Sequence, residues 1–430
     1  MISRTLAADL PKRIGERTTI AGWLHRRRQL KSLTFLVIRD RSGTAQVVLP
    51  PGTPFDLPEE TVLEVEGLVT ASDQAPGGAE LTAPVITALS APAAPPPFDL
   101  YRPTLAASLP TILDSAPTTL RHPLLRAGFE VAAAGVRGFR EALDGLGFTE
   151  IFTPKIVESA TESGANVFAL DYFGRPAYLA QSPQFYKQAM VGVFERVYEV
   201  GPVFRAEPSD TARHLAEYTS LDAELGFITD HRDVMSVCRD AVAGMIDSVR
   251  ERADAQMRLL GAELPSVASE IPAIHFTEAM ALITQATGED VTGEPDLAPA
   301  HERWLCEWSA REHGSDLLFV TGFPLASKPF YTYPDPAEPR SSNGFDLLFR
   351  GMEIVTGGQR LHRHEDYLAA LAARGERPEA YAGYLQVFEH GMPPHGGFAL
   401  GLERWAARLT GAANVRQLSM FPRDLHRLSP

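Results

Sequence analysis

Two alternating runs joined by a polar loop constrain this chain more than any other feature. Val197-Tyr198-Glu199-Val200 leads into Phe204-Arg205-Ala206-Glu207, and the chain returns through His214-Leu215-Ala216-Glu217-Tyr218. On the return, Leu221, Ala223, Leu225 and Phe227 alternate with Ser220, Asp222 and Glu224. Period-two alternation marks a strand with one buried face, and two such runs across a loop predict an antiparallel hairpin with Arg205 near its tip. A second arginine, Arg404, follows Gly401-Leu402-Glu403 where a C-terminal helix opens. A lone arginine in a strand is usually a surface or ion-pair residue. Two on separate ordered elements suggest a clamp for a phosphate-bearing ligand such as ATP.

At 430 residues the chain has room for roughly two or three domains. With 44% hydrophobic and 22% charged residues it can bury a sizeable core. No apolar run reaches the roughly 18 residues of a membrane span, and the start MISRTLAADLPKR lacks a signal-peptide core. A cytoplasmic protein with no membrane partner is expected. Cys238 and Cys306 are too few for a disulfide framework or a four-cysteine zinc site. His362, His364, His390 and His395 lack cysteine partners or helical i, i+4 spacing and read as structural. The net charge of −14 excludes a uniformly basic surface, so RNA contact would need local patches such as Arg26-Arg27-Arg28 with Lys31. Neither a GxxxxGK[ST] phosphate loop nor a Rossmann glycine fingerprint occurs.

Three regions separate along the chain. Residues 1–90 hold five β-like runs, Thr18 to Leu24, Thr34 to Arg39, Ala45 to Leu49, Val62 to Val69 and Leu81 to Ile86, which predict a small Greek-key barrel of the OB type. Residues 91–119 begin with Pro92-Ala93-Ala94-Pro95-Pro96-Pro97, whose prolines cannot continue a sheet, and read as a linker. Residues 120–430 mix helices and strands and open on a helix with apolar Leu125, Phe129, Ala132, Val136, Phe139, Leu143 and Leu146. That helix runs into a strand at Phe148-Thr149-Glu150-Ile151-Phe152-Thr153 and then Pro154. Periodicity alone favours an ordinary core helix.

The ordered set, helix-to-proline at about 125–154, the arginine hairpin at about 197–227 and the Gly-Leu-Glu-Arg helix at about 396–409, resembles motifs 1, 2 and 3 of the class II aminoacyl-tRNA synthetases. The resemblance to the aspartyl branch runs from near the N-terminus to Pro430. It implies an α+β fold: an OB-fold anticodon-binding domain, then a catalytic domain built on an antiparallel sheet flanked by helices, with motif 1 forming a homodimer interface. The implied activity is ATP-dependent attachment of L-aspartate to tRNA through an aspartyl-adenylate. Such chemistry brings a carboxylate onto the α-phosphate of ATP, and arginine suits it because it stays charged and presents a planar fork of donors.

Carried over from the family, Arg205 would hold the α-phosphate, Arg404 the γ-phosphate, and Arg213 with His214 the triphosphate tail. Glu207 would accept from the adenine amino group and Tyr218 would stack on the ring, with Leu215, Gly401, Leu402 and Glu403 completing the ATP contacts. Arg205, Glu207 and Arg404 are the catalytic candidates. Asp346 and Glu353, with Thr356, are the expected Mg²⁺ ligands, since hard oxygen donors suit that ion. The aspartate site would take Glu162, Gln184, Lys187, Arg205, Thr356 and Arg360. Lys187 and Arg360 are expected to pair the substrate carboxylate and to disfavour asparagine, because an unpaired buried charge costs roughly 3–5 kcal/mol.

On the barrel the resemblance implies anticodon contacts from Arg28, Phe35 and Gln46, with Phe35 stacking on a base; composition alone would make Phe35 a core residue. About 170 residues separate motifs 2 and 3, too few for the inserted domain of larger bacterial enzymes, and the chain resembles the compact archaeal-type branch. In that branch a tryptophan at position 25 and a lysine-like residue at 76 go with restriction to tRNA-Asp. His25 and Pro76 therefore resemble the non-discriminating form, which also aspartylates tRNA-Asn for later amidation by a separate tRNA-dependent amidotransferase. The alternatives are a discriminating aspartyl enzyme, an asparaginyl synthetase, and a tRNA-independent paralogue forming asparagine. The loop Pro208-Ser209-Asp210-Thr211-Ala212 departs from its relatives, so acceptor-end contacts there are not carried over.

Overall fold

The computed structural model describes residues 4–31, 33–158 and 166–429. The chain divides into two compact units, Met1–Pro123 and Leu124–Pro430. In the first, strands β1 (Arg17–Gln29), β2 (Thr34–Asp40), β3 (Gly43–Leu49), β4 (Val62–Ala71) and β5 (Ala79–Ala88) close into a barrel in the order β1-β2-β3-β5-β4. Alternate residues point inward, and Leu24, Leu36, Ile38, Val47, Val65 and Leu81 are at most 1% exposed. Strand β1 runs past the expected Leu24 to Gln29, pairing with β2 on both sides of a register shift between Leu24 and Arg26. Such a bulge bends the strand and re-aims side chains; here it places His25 at the shift and carries Arg26–Arg28 along a paired strand.

The segment expected as a linker belongs to this first unit. It forms two short helices, Leu109–Asp114 and Ala116–Thr119. Leu100 is buried, and Arg121 Nη1 donates to Glu60 Oε2 at 2.9 Å. The sheet ends at Ala88, before the proline run, and the residues after that run pack within the unit.

In the second unit, β7 (Ile156–Val157), β8 (Ala169–Tyr172) and β9 (Arg175–Leu179) form a small sheet in the order β7-β9-β8. The main sheet contains β6 (Thr149–Glu150), β10 (Arg196–Phe204), β11 (Glu217–Gly226), β12 (Ala273–His275), β13 (Leu317–Thr321), β14 (Gly344–Phe349), β15 (Met352–Gln359) and β16 (His395–Gly401). Their order is β12-β13-β14-β15-β16-β11-β10-β6, antiparallel except at the two edge pairs. The expected hairpin is β10 and β11, in register from Phe204↔Glu217 to Arg196↔Leu225. Phe227 departs from the expected alternation: β11 ends at Gly226, and Phe227 turns away at φ 60° and is 72% exposed. The expected motif 1 strand shortens to Thr149–Glu150.

The helix Pro123–Gly145 packs beside the helix His231–Arg252 in the main core. Leu125, Ala132, Phe139 and Leu143 are buried as expected, whereas Phe129, Val136 and Leu146 are only partly buried. Small residues do much of the packing instead. A Cβ at Gly138 would lie 2.2 Å from the Gly244 carbonyl oxygen, and one at Gly135 would lie 2.4 Å from the Trp405 ring. A search for large apolar residues at helical spacing passes over such positions.

Gly138→Ala is therefore expected to lower the unfolding midpoint, because overpacking costs about 1–3 kcal/mol and outweighs a helix-propensity gain of about 1 kcal/mol. Gly145→Ala, where a Cβ would meet nothing within 4 Å, should be neutral or slightly stabilising in the same urea titration.

Candidate active site

The two faces of the main sheet differ in kind. Leu221, Ala223, Val355, Phe398 and Leu400 turn into the main core. The opposite face presents a row that the pairing registers fix across five strands: Glu199↔Asp222, Asp222↔Ala399, Ala399↔Thr356 and Thr356↔Asp346. Above this face lies a cleft of about 310 Å³ whose lining includes Arg205, Arg213, His214, Tyr218, Glu353 and Arg404. Glu207, Leu215, Thr356, Gly401 and Glu403 also reach it. Residues nearly 200 positions apart meet here because β11 and β16 are neighbours.

Each cleft arginine is braced. The Arg205 backbone N–H donates to Ala216 O at 2.8 Å, and its guanidinium lies 5.7 Å from the Tyr218 ring centroid. Arg213 Nη2 donates to both Glu302 oxygens at 2.8 and 2.7 Å. Arg404 donates through Nη1 to Glu353 Oε2 at 3.2 Å and through Nε to Arg213 O at 3.3 Å. His214 Nδ1 lies 2.6 Å from Thr211 Oγ1, and burial with the nearby Arg404 and Arg213 lowers its pKa, which favours the neutral imidazole. Glu207 is solvent-exposed. Glu403 turns back into the fold: both its oxygens accept the Thr219 N–H at 3.1 Å, and burial pushes its carboxyl to about 7. Leu402 opens the Leu402–Thr410 helix and packs toward the main core.

Asp346 and Glu353 stand on adjacent strands. Burial pushes the Asp346 carboxyl up to about 7; Lys328, 3.5 Å away, opposes this, and Glu353 reinforces it. Glu353 is also raised by burial, but Arg404, Lys328, Arg213 and Arg205 outweigh that and lower it. Thr356 stands opposite Asp346 on the neighbouring strand and favours its charged form. An added cation would relieve the repulsion between these carboxylates, and their all-oxygen donor set suits Mg²⁺. Among the described residues no group of three or more His, Cys, Asp or Glu side chains could hold a metal; an ion that also binds substrate phosphates needs fewer protein ligands.

Lys187 and Arg360, expected to pair the substrate carboxylate, already have carboxylate partners within the protein. Lys187 is 1% exposed; its Nζ donates to Asp222 Oδ1 at 2.9 Å and Phe398 O at 3.1 Å, and stands 3.3 Å from Glu224 Oε2. Arg360 Nε donates to Glu224 Oε1 at 3.0 Å, and its Nη2 reaches Gly397 O and Gln184 Oε1 at 3.0 and 3.4 Å. Two cations and two carboxylates thus neutralise one another, as buried charges must. A substrate carboxylate would have to share Lys187 and Arg360 with Asp222 and Glu224. Glu162 lies outside the described residues.

On the barrel, Arg28, Phe35 and Gln46 occupy one outer face. Arg28 pairs with Phe35 and Phe35 with Val48, while Val37 pairs with Gln46 one step along. Phe35 is half-buried and stands outside the barrel core formed by its neighbours Leu36 and Ile38. Gln46 Nε2 donates to Glu80 Oε2 at 2.7 Å. His25 is buried: Arg39 Nη1 donates to its Nδ1 at 2.8 Å, while Arg39 also forks onto Glu60. Burial first, and then Arg39, lowers the His25 pKa to about 4. Pro76 is exposed in the turn Pro76–Gly78, just before Glu80.

Sequence reasoning missed Glu302 and Lys328, and gave Asp222 and Glu224 only as polar members of an alternation. For those two a signal existed, since acids at alternating positions between apolar residues in a central strand need buried partners. For Glu302 no local signal exists, because it lies 89 residues from Arg213.

Residues 109–425 match the family described as tRNA synthetases class II (D, K and N), and residues 18–89 match the OB-fold nucleic acid binding domain. The chain is 48% identical to the aspartate–tRNA(Asp/Asn) ligase of Thermus thermophilus over 99% of its own length and all of that protein. It is 46% identical to the protein of the same name from Deinococcus radiodurans, covering 100% and 99%. The structure of Pyrococcus horikoshii asparaginyl-tRNA synthetase complexed with asparaginyl-adenylate superposes with a TM-score of 0.92 at 31% identity, covering both chains fully. With its catalytic segment and its barrel both matched, the chain belongs to the class II tRNA synthetases of the D, K and N group and is an aminoacyl-tRNA ligase.

Proposed function

We propose that the protein activates L-aspartate with ATP and loads it onto tRNA-Asp and tRNA-Asn, acting as a cytoplasmic homodimer. The convergence of Arg205, Arg213, Arg404 and Glu353 on one cleft is the observation that carries this reading. The cleft floor continues along Thr356, Ala399 and Asp222 to the Lys187 and Arg360 cluster. One end suits a polyphosphate and the other an amino acid bearing its own charges. Aspartate rather than asparagine is supported by Lys187 and Arg360 and by the names of the two 46–48% identical relatives. The 31% identical asparaginyl structure shares the fold, so fold alone does not choose between them.

In the reaction, the aspartate α-carboxylate oxygen attacks the α-phosphorus, a C–O–P bond forms, and the bond to the departing pyrophosphate breaks. Arg205 offsets negative charge building on the phosphoryl oxygens, a preorganised contribution that needs little rearrangement. Arg213 and Arg404 hold the leaving pyrophosphate, and Tyr218 offers its ring to the adenine. Asp346, Glu353 and Thr356 would hold Mg²⁺, which would offset charge on the phosphates. A terminal tRNA hydroxyl then attacks the mixed anhydride and AMP leaves.

Exposed Phe152, Val193, Phe194 and Phe227, between 46% and 83% accessible, support burial of this unit against a second copy. Two buried free cysteines fit a reducing compartment. Among the described residues no helix is long and apolar enough to cross a membrane. Aspartyl-tRNA-Asn made this way would pass to a tRNA-dependent amidotransferase.

Arg205→Ala should reduce aspartate-dependent ATP–pyrophosphate exchange by two to three decades, a loss of about 2.7–4 kcal/mol, with unfolding and tRNA binding nearly unchanged. Normal exchange by that variant would remove Arg205 from the site.

Lys187→Met should abolish most aspartate activation and destabilise the fold by about 3–5 kcal/mol, since Asp222 and Glu224 lose a buried counter-charge. Adding Asp222→Asn should recover part of the stability in chemical unfolding without recovering exchange. Retention of the wild-type preference for aspartate over asparagine in Lys187→Met would place selectivity elsewhere.

For tRNA choice, the two anticodons differ at their last base, and a poor base contact costs roughly 1–3 kcal/mol. His25 is tied to Arg39 inside the barrel unit, and the Pro76 turn leads to the Glu80 that holds Gln46. His25→Trp with Pro76→Lys should depress tRNA-Asn charging by one to two decades and spare tRNA-Asp, on roughly that energy scale. The dual reading fails should the unmodified protein charge purified tRNA-Asp but not tRNA-Asn at matched salt.

A further inference from the structure

Glu302 sits in the first turn of the helix Pro299–His313, where an acid would ordinarily be a solvated end-of-helix charge. Here it is 4% exposed and fully engaged. Its two oxygens take Arg213 Nη2 at 2.8 and 2.7 Å, and Oε2 also accepts the Glu353 backbone N–H at 2.9 Å. Arg404 completes a ring, donating to the Arg213 carbonyl at 3.3 Å and to Glu353 Oε2 at 3.2 Å. Four residues, from two helices, one strand and the loop between β10 and β11, are thus closed into one circuit, and of the four Glu302 alone is absent from the lining of the cleft.

We infer that Glu302 is a positioning residue for ATP: it fixes Arg213 from behind and ties it to the strand that carries Glu353. Resting on the reading of this cleft as the ATP site, the inference adds a residue that never touches the nucleotide. A long arginine side chain loses considerable rotamer freedom on binding an anion, and a carboxylate that holds it beforehand removes that cost from the binding step. Among the described residues Glu302 engages only Nη2, so one end of the guanidinium is anchored while its remaining donors are not consumed. Glu302 also offsets part of the positive charge of Arg213.

The test is a double-mutant cycle read as the KM for ATP in aspartate-dependent pyrophosphate exchange. Glu302→Gln keeps the shape and an acceptor for the Glu353 N–H but turns an amide against Arg213, and should raise the ATP KM about tenfold. The aspartate KM should stay within about twofold. Glu302→Asp should recover part of the loss. Because Glu302 acts through Arg213, Glu302→Gln combined with Arg213→Ala should be no worse than Arg213→Ala alone. Effects that multiply in the double variant, or equal losses for ATP and aspartate alongside a lowered unfolding midpoint, would overturn the inference in favour of a purely structural role. Should Arg213→Ala raise the ATP KM while Glu302→Gln leaves it unchanged, the role of Glu302 falls and the ATP reading stands. An unchanged ATP KM in Arg213→Ala removes both. If Glu302→Gln does not fold, Glu302→Asp carries the same cycle with Arg213→Ala and the same outcomes decide.

Discussion

Charge neutrality inside the polar face of the main sheet is the condition on which the rest of the catalytic unit depends. Lys187, Asp222, Glu224 and Arg360 are each at most 7% exposed. Taking any one of them out of water alone would cost several kcal/mol, so the four are stable only together. Their closeness also dictates backbone: a Cβ at Gly397 would lie 2.0 Å from Glu224 Oε2, so β16 needs glycine where it passes the carboxylate. A further layer holds the cluster from outside. Gln188 donates to His395 Nε2 and accepts from Tyr384, while His395 Nδ1 donates to Pro393 O. Burial lowers the His395 pKa to about 4, so the imidazole stays neutral and keeps the tautomer these bonds require.

The nucleotide end follows the same logic with a looser seal. Arg404 and Glu353 are 25% and 31% exposed at the side chain, and they pair with each other. Arg213 and Arg404, proposed above to meet the polyphosphate, are each matched by a carboxylate, Glu302 and Glu353. An exchange of one anion for another demands less reorganisation than assembly of the site from mobile side chains. The acid pair at Asp346 and Glu353 complements this, because its mutual repulsion and the raised Asp346 carboxyl leave a place where added positive charge is favourable.

The barrel uses the opposite surface logic. Its interior is an apolar core, and Arg28, Phe35 and Gln46 stand on the outer face of three consecutive strands. The bulge at His25 matters because it changes which residues of β1 face outward. The buried Arg39 and Glu60 pair fixes the imidazole inside the same unit.

The linear sequence by itself determined the five barrel strands, the hairpin with Arg205 near its tip, and the helix that opens at Leu402. Each is written in local periodicity or in a short ordered motif, and period-two alternation survives without knowledge of neighbours. Lys187, Arg360, Asp346 and Glu353 were singled out by the family resemblance and not by local pattern. What it could not determine is which of those charges are already spent. The pairing of Lys187 with Asp222 spans 35 residues and that of Arg360 with Glu224 spans 136. The strand order β15-β16-β11, with the helix Gln184–Phe194 that carries Lys187, brings these residues within a few ångströms. The glycines at 135 and 138 are similar: a missing side chain leaves no periodic trace, and its necessity appears only when Trp405 and Gly244 occupy the space. Local pattern reports which face a residue takes, whereas burial and the identity of the opposing charge are set by elements far away in the chain.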